Sequence, residues 1–124
     1  MKLTKQAARV QLRTRQATLR SDFSGLGKTV KFKHKGRAGY RLIGTIVDEV
    51  SLICDEYKHV MQRIRFDPDA SNDGCRYAYR TGYWTWRGDG KGVVWGQYTQ
   101  LLSEREQRKM IARARAKGWP IFSN

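Results

Sequence analysis

The sequence has few of the residues that mark metal-binding, secreted or catalytic proteins. Its 124 residues include only two cysteines, two histidines and two prolines. Cys54 and Cys75 lie far apart and lack the CxxC pairs or Cys/His clusters that structural zinc requires. No phosphate-binding GxxxxGK[ST], dinucleotide GxGxxG, nucleophile elbow or HExxH motif is present. We therefore expect free thiols, no metal and no cofactor, and an enzymatic activity has no motif to support it.

Long apolar runs are also missing. No stretch approaches the roughly 18 to 20 apolar residues that span a bilayer, and the polar start of the chain lacks the apolar region of a signal peptide. We predict a cytoplasmic protein that does not enter a membrane. Two alternatives stay open for the Arg-rich first 21 residues, which also fit an organelle transit peptide or a basic helix lying on anionic lipid.

Acidic residues are scarce, with 11 Asp and Glu against 25 Lys and Arg, which gives a formal net charge of +14. The charge is uneven, because residues 1–41 carry twelve basic and one acidic side chain, residues 42–75 three and seven, and residues 76–124 ten and three. Such an excess favours an anionic partner. The less basic middle predicts a folded body whose two basic flanks converge on one positive face.

The N-terminal region reads best as a helix over residues 4–20, although a strand is the alternative. In the helical reading Arg9, Arg13, Gln16 and Arg20 share one stripe. The predicted packing stripe consists of Leu3, Ala7, Val10, Thr14 and Ala17. A breaker segment at 21–27 then separates a basic helix or arm, residues 1–26, from one β-rich domain over residues 27–124.

Five strands are predicted from β-branched and aromatic residues. They are placed at Thr29–Lys35, Arg41–Val50, Tyr57–Phe66, Arg76–Arg87 and Val93–Tyr98. Short links between them indicate an antiparallel meander, and acidic pairs such as 48–49 and 55–56 are of a kind common in turns between strands. A capping box at Ser103 and Glu106 and a stop at Gly118 predict a final helix over Glu104–Lys117 that packs through Gln107, Met110, Ile111 and Ala114. The fold class is α+β, with a strongly bent antiparallel sheet or small barrel and a helix at each end.

Residues 27–50 contain the pattern Gly27-Lys28-x-Val30, Gly36-Arg37-x-Gly39 and Gly44-x-Ile46-Val47-Asp48. This pattern resembles the opening of a KOW-type or other SH3-like small β-barrel. The resemblance implies a small barrel and, since many such barrels bind RNA, DNA or ribosomal proteins, a partner of that kind.

Two segments combine cations with apolar or aromatic residues. In residues 28–37 alternate lysines would form a row of phosphate contacts about 6.6 to 6.8 Å apart, although lysines also protect an exposed strand edge. In residues 76–87 tyrosines alternate with tryptophans and could stack bases or fill the core. We predict binding of RNA or DNA through Arg9, Arg13, Arg20, Lys31, Lys33, Lys35, Arg37, Arg41, Tyr77, Tyr79 and Arg87.

Other functions stay open. The chain could be a structural subunit of a larger ribonucleoprotein or defence complex, which an exposed apolar patch would favour. It could also be a small nuclease, with Asp48, Glu56 and Lys58 holding Mg²⁺ and activating water. An RNA-cleaving site built on His34 and His59 is a further alternative.

Overall fold

The computed structural model describes residues 4–33, 41–67, 76–96 and 102–122. Along the chain it contains helix α1, five strands, helix α2 and a short 3₁₀ helix. Their bounds are α1 Lys5–Asp22, β1 Thr29–Lys33, β2 Arg41–Cys54, β3 Tyr57–Phe66, β4 Tyr77–Trp86, β5 Val93–Gly96, α2 Glu104–Ala116 and the 3₁₀ helix Pro120–Phe122. The predicted α+β class, the antiparallel bent sheet and the two terminal helices are confirmed.

The strands form one sheet in the order β1-β2-β3-β4-β5, each antiparallel to the next. The sheet curls strongly, since the ammonium of Lys28, just before β1, lies 5.6 Å from the ring centre of Trp84 on β4. Residues three strands apart in a flat sheet could not meet in this way. The face that carries both side chains is therefore the concave face.

Strand β2 is longer than predicted and contains a β-bulge. The pairing with β3 shifts between Ile46 and Asp48, so Ile46 packs on the concave face whereas Val50 and Leu52 face the convex side. A bulge adds one residue to one strand and so reverses the alternation of side chains beyond it. Asp48 and Glu49 lie inside β2, in agreement with the strand predicted over Arg41–Val50. The turn at residues 55–56 is present and joins β2 to β3.

The two helices pack on opposite faces of the sheet. Leu19 of α1 is fully buried and Phe23 packs against Trp84 on the concave side, whereas Met110 and Ala114 of α2 join Val50 and Leu52 on the convex side. The predicted convergence of both basic flanks on one face is therefore wrong. Hydrophobic packing decided the outcome, because each sheet face exposes an apolar surface that needs a cover.

Helix α2 follows the sequence prediction closely. The Ser103 hydroxyl accepts from the backbone N–H of Glu106, and the Glu106 carboxylate accepts from the backbone N–H of Ser103. Gly118, with φ of 75°, follows the helix in the left-handed conformation that glycine adopts easily. Met110 and Ala114 are buried as predicted and Ile111 is half-buried, whereas Gln107, in the first turn of α2, is exposed.

Candidate nucleic-acid interface

The first two turns of α1 extend beyond the sheet. Every residue from 4 to 11 is exposed, including Val10, whose side chain is 56% exposed. The Thr4 hydroxyl caps this end by accepting from the backbone N–H of Ala7. The residues that face the sheet begin at the half-buried Leu12 and continue with the buried Leu19. The segment therefore projects as a helical arm with solvent on all sides.

The predicted packing stripe of α1 is wrong. Ala7, Val10, Thr14 and Ala17 are exposed, and the helix packs instead through Leu12, Arg15, Gln16 and Leu19. The two stripes differ by about half a turn, and α1 has so few apolar residues that periodicity alone could not separate them.

Three predicted arginines, Arg9, Arg13 and Arg20, lie exposed along one flank of α1. Their spacings of four and seven residues keep them in one row, which covers about 16 Å at 1.5 Å per helical residue. Within the described part of the chain no carboxylate pairs with any of them. The row is thus available to an external anion.

Arg15 anchors the base of the arm. Its Nη1 lies 2.5 Å from Oε1 of Glu56, and its guanidinium lies 5.4 Å from the ring centre of Trp86. The guanidinium also packs against Gly90 in the turn between β4 and β5. Arg15 therefore brings this turn, with the predicted Arg87, beside α1. Arg87 is exposed and forms a weak pair with Asp89 at 3.4 Å.

The predicted lysine row is described only in part. Lys31 is exposed on β1 while its neighbour Val30 packs against the concave-face core, as the alternation predicts. Lys33 on β1 pairs with Arg41 on β2 through their backbones. Lys35 and Arg37 lie outside the described residues. Lys31 stands on an outer strand of the described sheet, which fits both a phosphate contact and edge protection.

The two predicted tyrosines lie on the convex face and already contact other side chains. The Arg63 guanidinium lies 3.9 Å from the ring centre of Tyr77, which is 39% exposed. Tyr79 packs 5.4 Å from Trp119 inside the α2 core. A base could reach the outer side of Tyr77, whereas stacking on Tyr79 would require the C-terminal segment to move.

The tryptophans alternate with these tyrosines and face the concave side. Trp84 packs 5.1 Å from Trp95 and 5.5 Å from Phe23. The indole N–H groups of Trp84 and Trp86 are buried without a hydrogen-bond partner in the described part of the chain. The expected alternation along β4 is thus present, with both faces partly covered by helices.

A polar network crosses the concave face where α1 leaves the sheet. Gln62, only 1% exposed, donates from Nε2 to Glu49 at 2.8 Å and accepts from Arg80 Nε at 2.9 Å. The Glu49 carboxylate also accepts from the backbone N–H of Gly25 at 3.0 Å. Burial lowers the pKa of Arg80 and of Lys58, whose Nζ donates to the Phe23 carbonyl, and Glu49 partly opposes both shifts. This network holds the segment after α1 on the sheet.

The residues proposed for a nuclease site are dispersed. Asp48 binds Trp119 on the convex face, Glu56 pairs with Arg15 in a turn, and Lys58 reaches Phe23 on the concave face. No group of metal-ligating side chains occurs in the described ranges. His34 lies outside those ranges. His59 is buried, which lowers its pKa, an effect that Glu106 partly offsets.

Comparison of the chain with protein-family models, curated proteins and solved structures finds no match. The resemblance to a KOW-type barrel therefore stays a prediction. No helix among the described residues is long and apolar enough to cross a membrane.

Proposed function

We propose that this protein binds nucleic acid mainly through the phosphate backbone, with α1 as the primary contact. The observation that carries the proposal is the projecting arm, residues 4–11, together with the row of Arg9, Arg13 and Arg20 along α1, for which no carboxylate partner occurs in the described ranges. Helical turns without tertiary packing are only marginally stable in water, and no acidic residue in the first turn of α1 complements the helix dipole. A polyanion would supply both the missing contacts and the missing negative charge.

Of the other predicted residues, Arg87 extends this contact, whereas Lys31 and Tyr77 face the convex side of the sheet, away from α1. Arg87 lies beside α1 because Arg15 of α1 contacts the neighbouring Trp86. Lys31 lies on β1. Lys33, Lys35, Arg37 and Arg41 would add further phosphate contacts, and Tyr77 would add a stacking surface. Phosphate contacts of this kind position a protein on nucleic acid without reading its sequence. We therefore expect affinity with little sequence preference.

A second candidate function is that of a subunit in a ribonucleoprotein or defence complex. Tyr57 and Val94, each 43% exposed, flank Thr85 across the convex faces of β3, β4 and β5. The ring of Tyr57 also meets that of Tyr83 edge-on at 5.6 Å. These residues form an aromatic and apolar surface of the kind that contacts a protein neighbour. In this role the arm would follow RNA while the sheet binds protein.

The test is fluorescence anisotropy with labelled 20-nucleotide single strands and duplexes of DNA and RNA across a salt series. For duplex DNA the logarithm of the binding constant falls with the logarithm of salt by about 0.9 per phosphate contact. Arg9→Gln/Arg13→Gln should therefore reduce that slope by about 2. The control Arg65→Gln/Arg76→Gln removes equal charge from exposed residues outside the arm and should change it less.

The strands are recovered afterwards from a sample with Mg²⁺. Intact strands, and a smaller salt dependence of binding for Arg9→Gln/Arg13→Gln than for the wild type, support the proposal. Cleaved strands would contradict the proposal and indicate a nuclease. Absence of binding at about 50 mM salt, where phosphate contacts are strong, would contradict it and direct attention to a protein partner.

A further inference from the structure

Helix α2 carries a second row of cations that the proposed contact through α1 does not use. Its packing side, centred on Met110 and Ala114, faces the sheet. Counting 100° per residue from that side places Arg105, Arg108 and Arg115 on the opposite side of the helix. All three are exposed, and the row covers about 15 Å at 1.5 Å per residue.

These outward cations are not needed to hold α2 on the sheet. Arg113 Nη1 donates to the Ser51 carbonyl, and Lys117 pairs with Asp48 at 3.6 Å, so those two cations serve the fold. Arg105 and Arg115 pair with no carboxylate in the described ranges. Arg108 meets Glu104 only at 3.9 Å, with both side chains highly exposed, a pair worth little.

The acidic residues of α2 do not neutralise this row. Glu106 is directed to the helix start, where it accepts from the backbone N–H of Ser103, and to the thiol of Cys54. These hydrogen bonds, with the Cys54 bond the largest effect, lower the pKa of Glu106 to about 2. The outward side of α2 therefore keeps a cationic surface although the helix contains two glutamates.

The two cationic rows are separated by the sheet. Packed layers are about 10 Å apart, so α1 and α2 lie about 20 Å from one another on opposite faces. A duplex lying along α1 would have to turn around the domain to reach the outward side of α2. Its persistence length of about 50 nm makes so sharp a bend over one small domain costly.

We propose that the outward side of α2 is a second nucleic-acid-binding surface, so that one copy of the protein joins two nucleic-acid segments. The inference rests on the proposed function, because α1 would hold the first segment. Phosphate is the ligand that suits the second surface, since guanidinium groups bind it with paired hydrogen bonds. The protein would then link two nucleic-acid segments and not only bind along one of them.

The experiment captures one duplex with another. A biotinylated 20-base-pair DNA is fixed to beads, the protein is added, unbound protein is washed away, and a fluorescent 20-base-pair DNA follows. The protein retained on the beads tests the proposed function, and the retained fluorescence tests the bridge. We expect the wild type to retain both, and Arg105→Gln/Arg115→Gln to retain protein while fluorescence falls at least five-fold.

Two controls make the result specific. Arg65→Gln/Arg76→Gln removes the same charge from outside α2 and should leave fluorescence within two-fold of the wild type. Light scattering of the free protein and of the protein bound to one duplex should give one copy per complex. Retained protein without fluorescence would overturn the bridge and leave the proposed function standing. Equal losses in both variants, or bridging only by dimers, would also overturn it.

Discussion

The indole N–H of Trp119 donates to Oδ2 of Asp48 across 2.8 Å, which ties the C-terminal segment to the centre of β2. Trp119 is buried, and its ring also packs against Tyr79. Asp48 lies just after the β-bulge, and the bulge directs its carboxylate to the convex face, which α2 covers. This hydrogen bond, with the ion pair between Lys117 and Asp48, thus holds the end of α2 on the sheet.

Removing this hydrogen bond should lower the free energy of unfolding without leaving a cavity in the core. Trp119→Phe keeps an aromatic ring but no donor, and we expect the free energy of unfolding to fall by about 1 to 2 kcal/mol. Trp119→Ala should cost about 3 to 5 kcal/mol because it also leaves a cavity. Urea denaturation measures both. Equal losses for the two variants would show that the hydrogen bond contributes nothing separate from the ring.

Asp48 also predicts how stability depends on pH. Burial raises its pKa, but hydrogen bonds from Trp119 and the Glu49 backbone, with the charge of Lys117, outweigh burial and lower the pKa below its ordinary value of 3.8. A carboxyl whose folded pKa is depressed stabilises the fold above its unfolded pKa and loses that contribution as pH falls through the folded pKa. The stability difference between wild type and Asp48→Asn should therefore be constant near pH 6 and shrink below about pH 4. A difference that does not change with pH would contradict this.

Gln62 should be among the most sensitive polar positions. Its amide joins Glu49 to Arg80 in a buried site, so Gln62→Ala would leave two charged groups with unmet hydrogen bonds. We expect the free energy of unfolding to fall by about 1 to 3 kcal/mol. Thermal and urea denaturation provide the measurement, and the exposed Gln11→Ala serves as control. Similar small effects for both variants would show that the network is dispensable.

Two glycines provide a matched test of packing in the aromatic hairpin. A methyl group at Gly82 would lie 2.2 Å from the Trp95 ring, whereas one at Gly88 would meet no atom within 4 Å. Gly82→Ala should therefore destabilise the fold by about 1 to 3 kcal/mol through overpacking. Gly88→Ala should change stability by no more than about 1 kcal/mol. Equal melting temperatures for the two variants would contradict close packing of the Trp95 ring against Gly82.

Cys54 should react slowly with thiol reagents. Burial first, and then its contact with Glu106, raise the pKa of its thiol to about 12. The thiolate is the reactive form, so labelling near pH 8 should be more than about 100-fold slower in the folded protein than in urea. Cys75→Ser leaves Cys54 as the single cysteine for this measurement. Equal rates in folded and unfolded protein would contradict the raised pKa.

Local patterns predicted most of the fold. The Ser103 and Glu106 capping box located the start of α2, and the bounds of β3 match the prediction. The alternation along β4 was also correct, because side chains on a strand point to opposite faces whatever surrounds it. The predicted interface was only partly described, with Arg9, Arg13 and Arg20 exposed on one flank and Lys35 and Arg37 outside the described residues.

The sequence by itself determined the order of the helices and strands, several of their bounds and how much positive charge they carry, since these follow from neighbouring residues. Only the tertiary structure decided which face each element presents. The bulge after Ile46 redirects Val50, and α1 packs through Leu12 and Leu19 in place of Val10. Burial of Gln62 likewise depends on Glu49 and Arg80, which lie on different strands. These outcomes depend on packing between segments that are distant in the sequence. Such packing produces no repeating pattern of apolar residues from which it could be predicted.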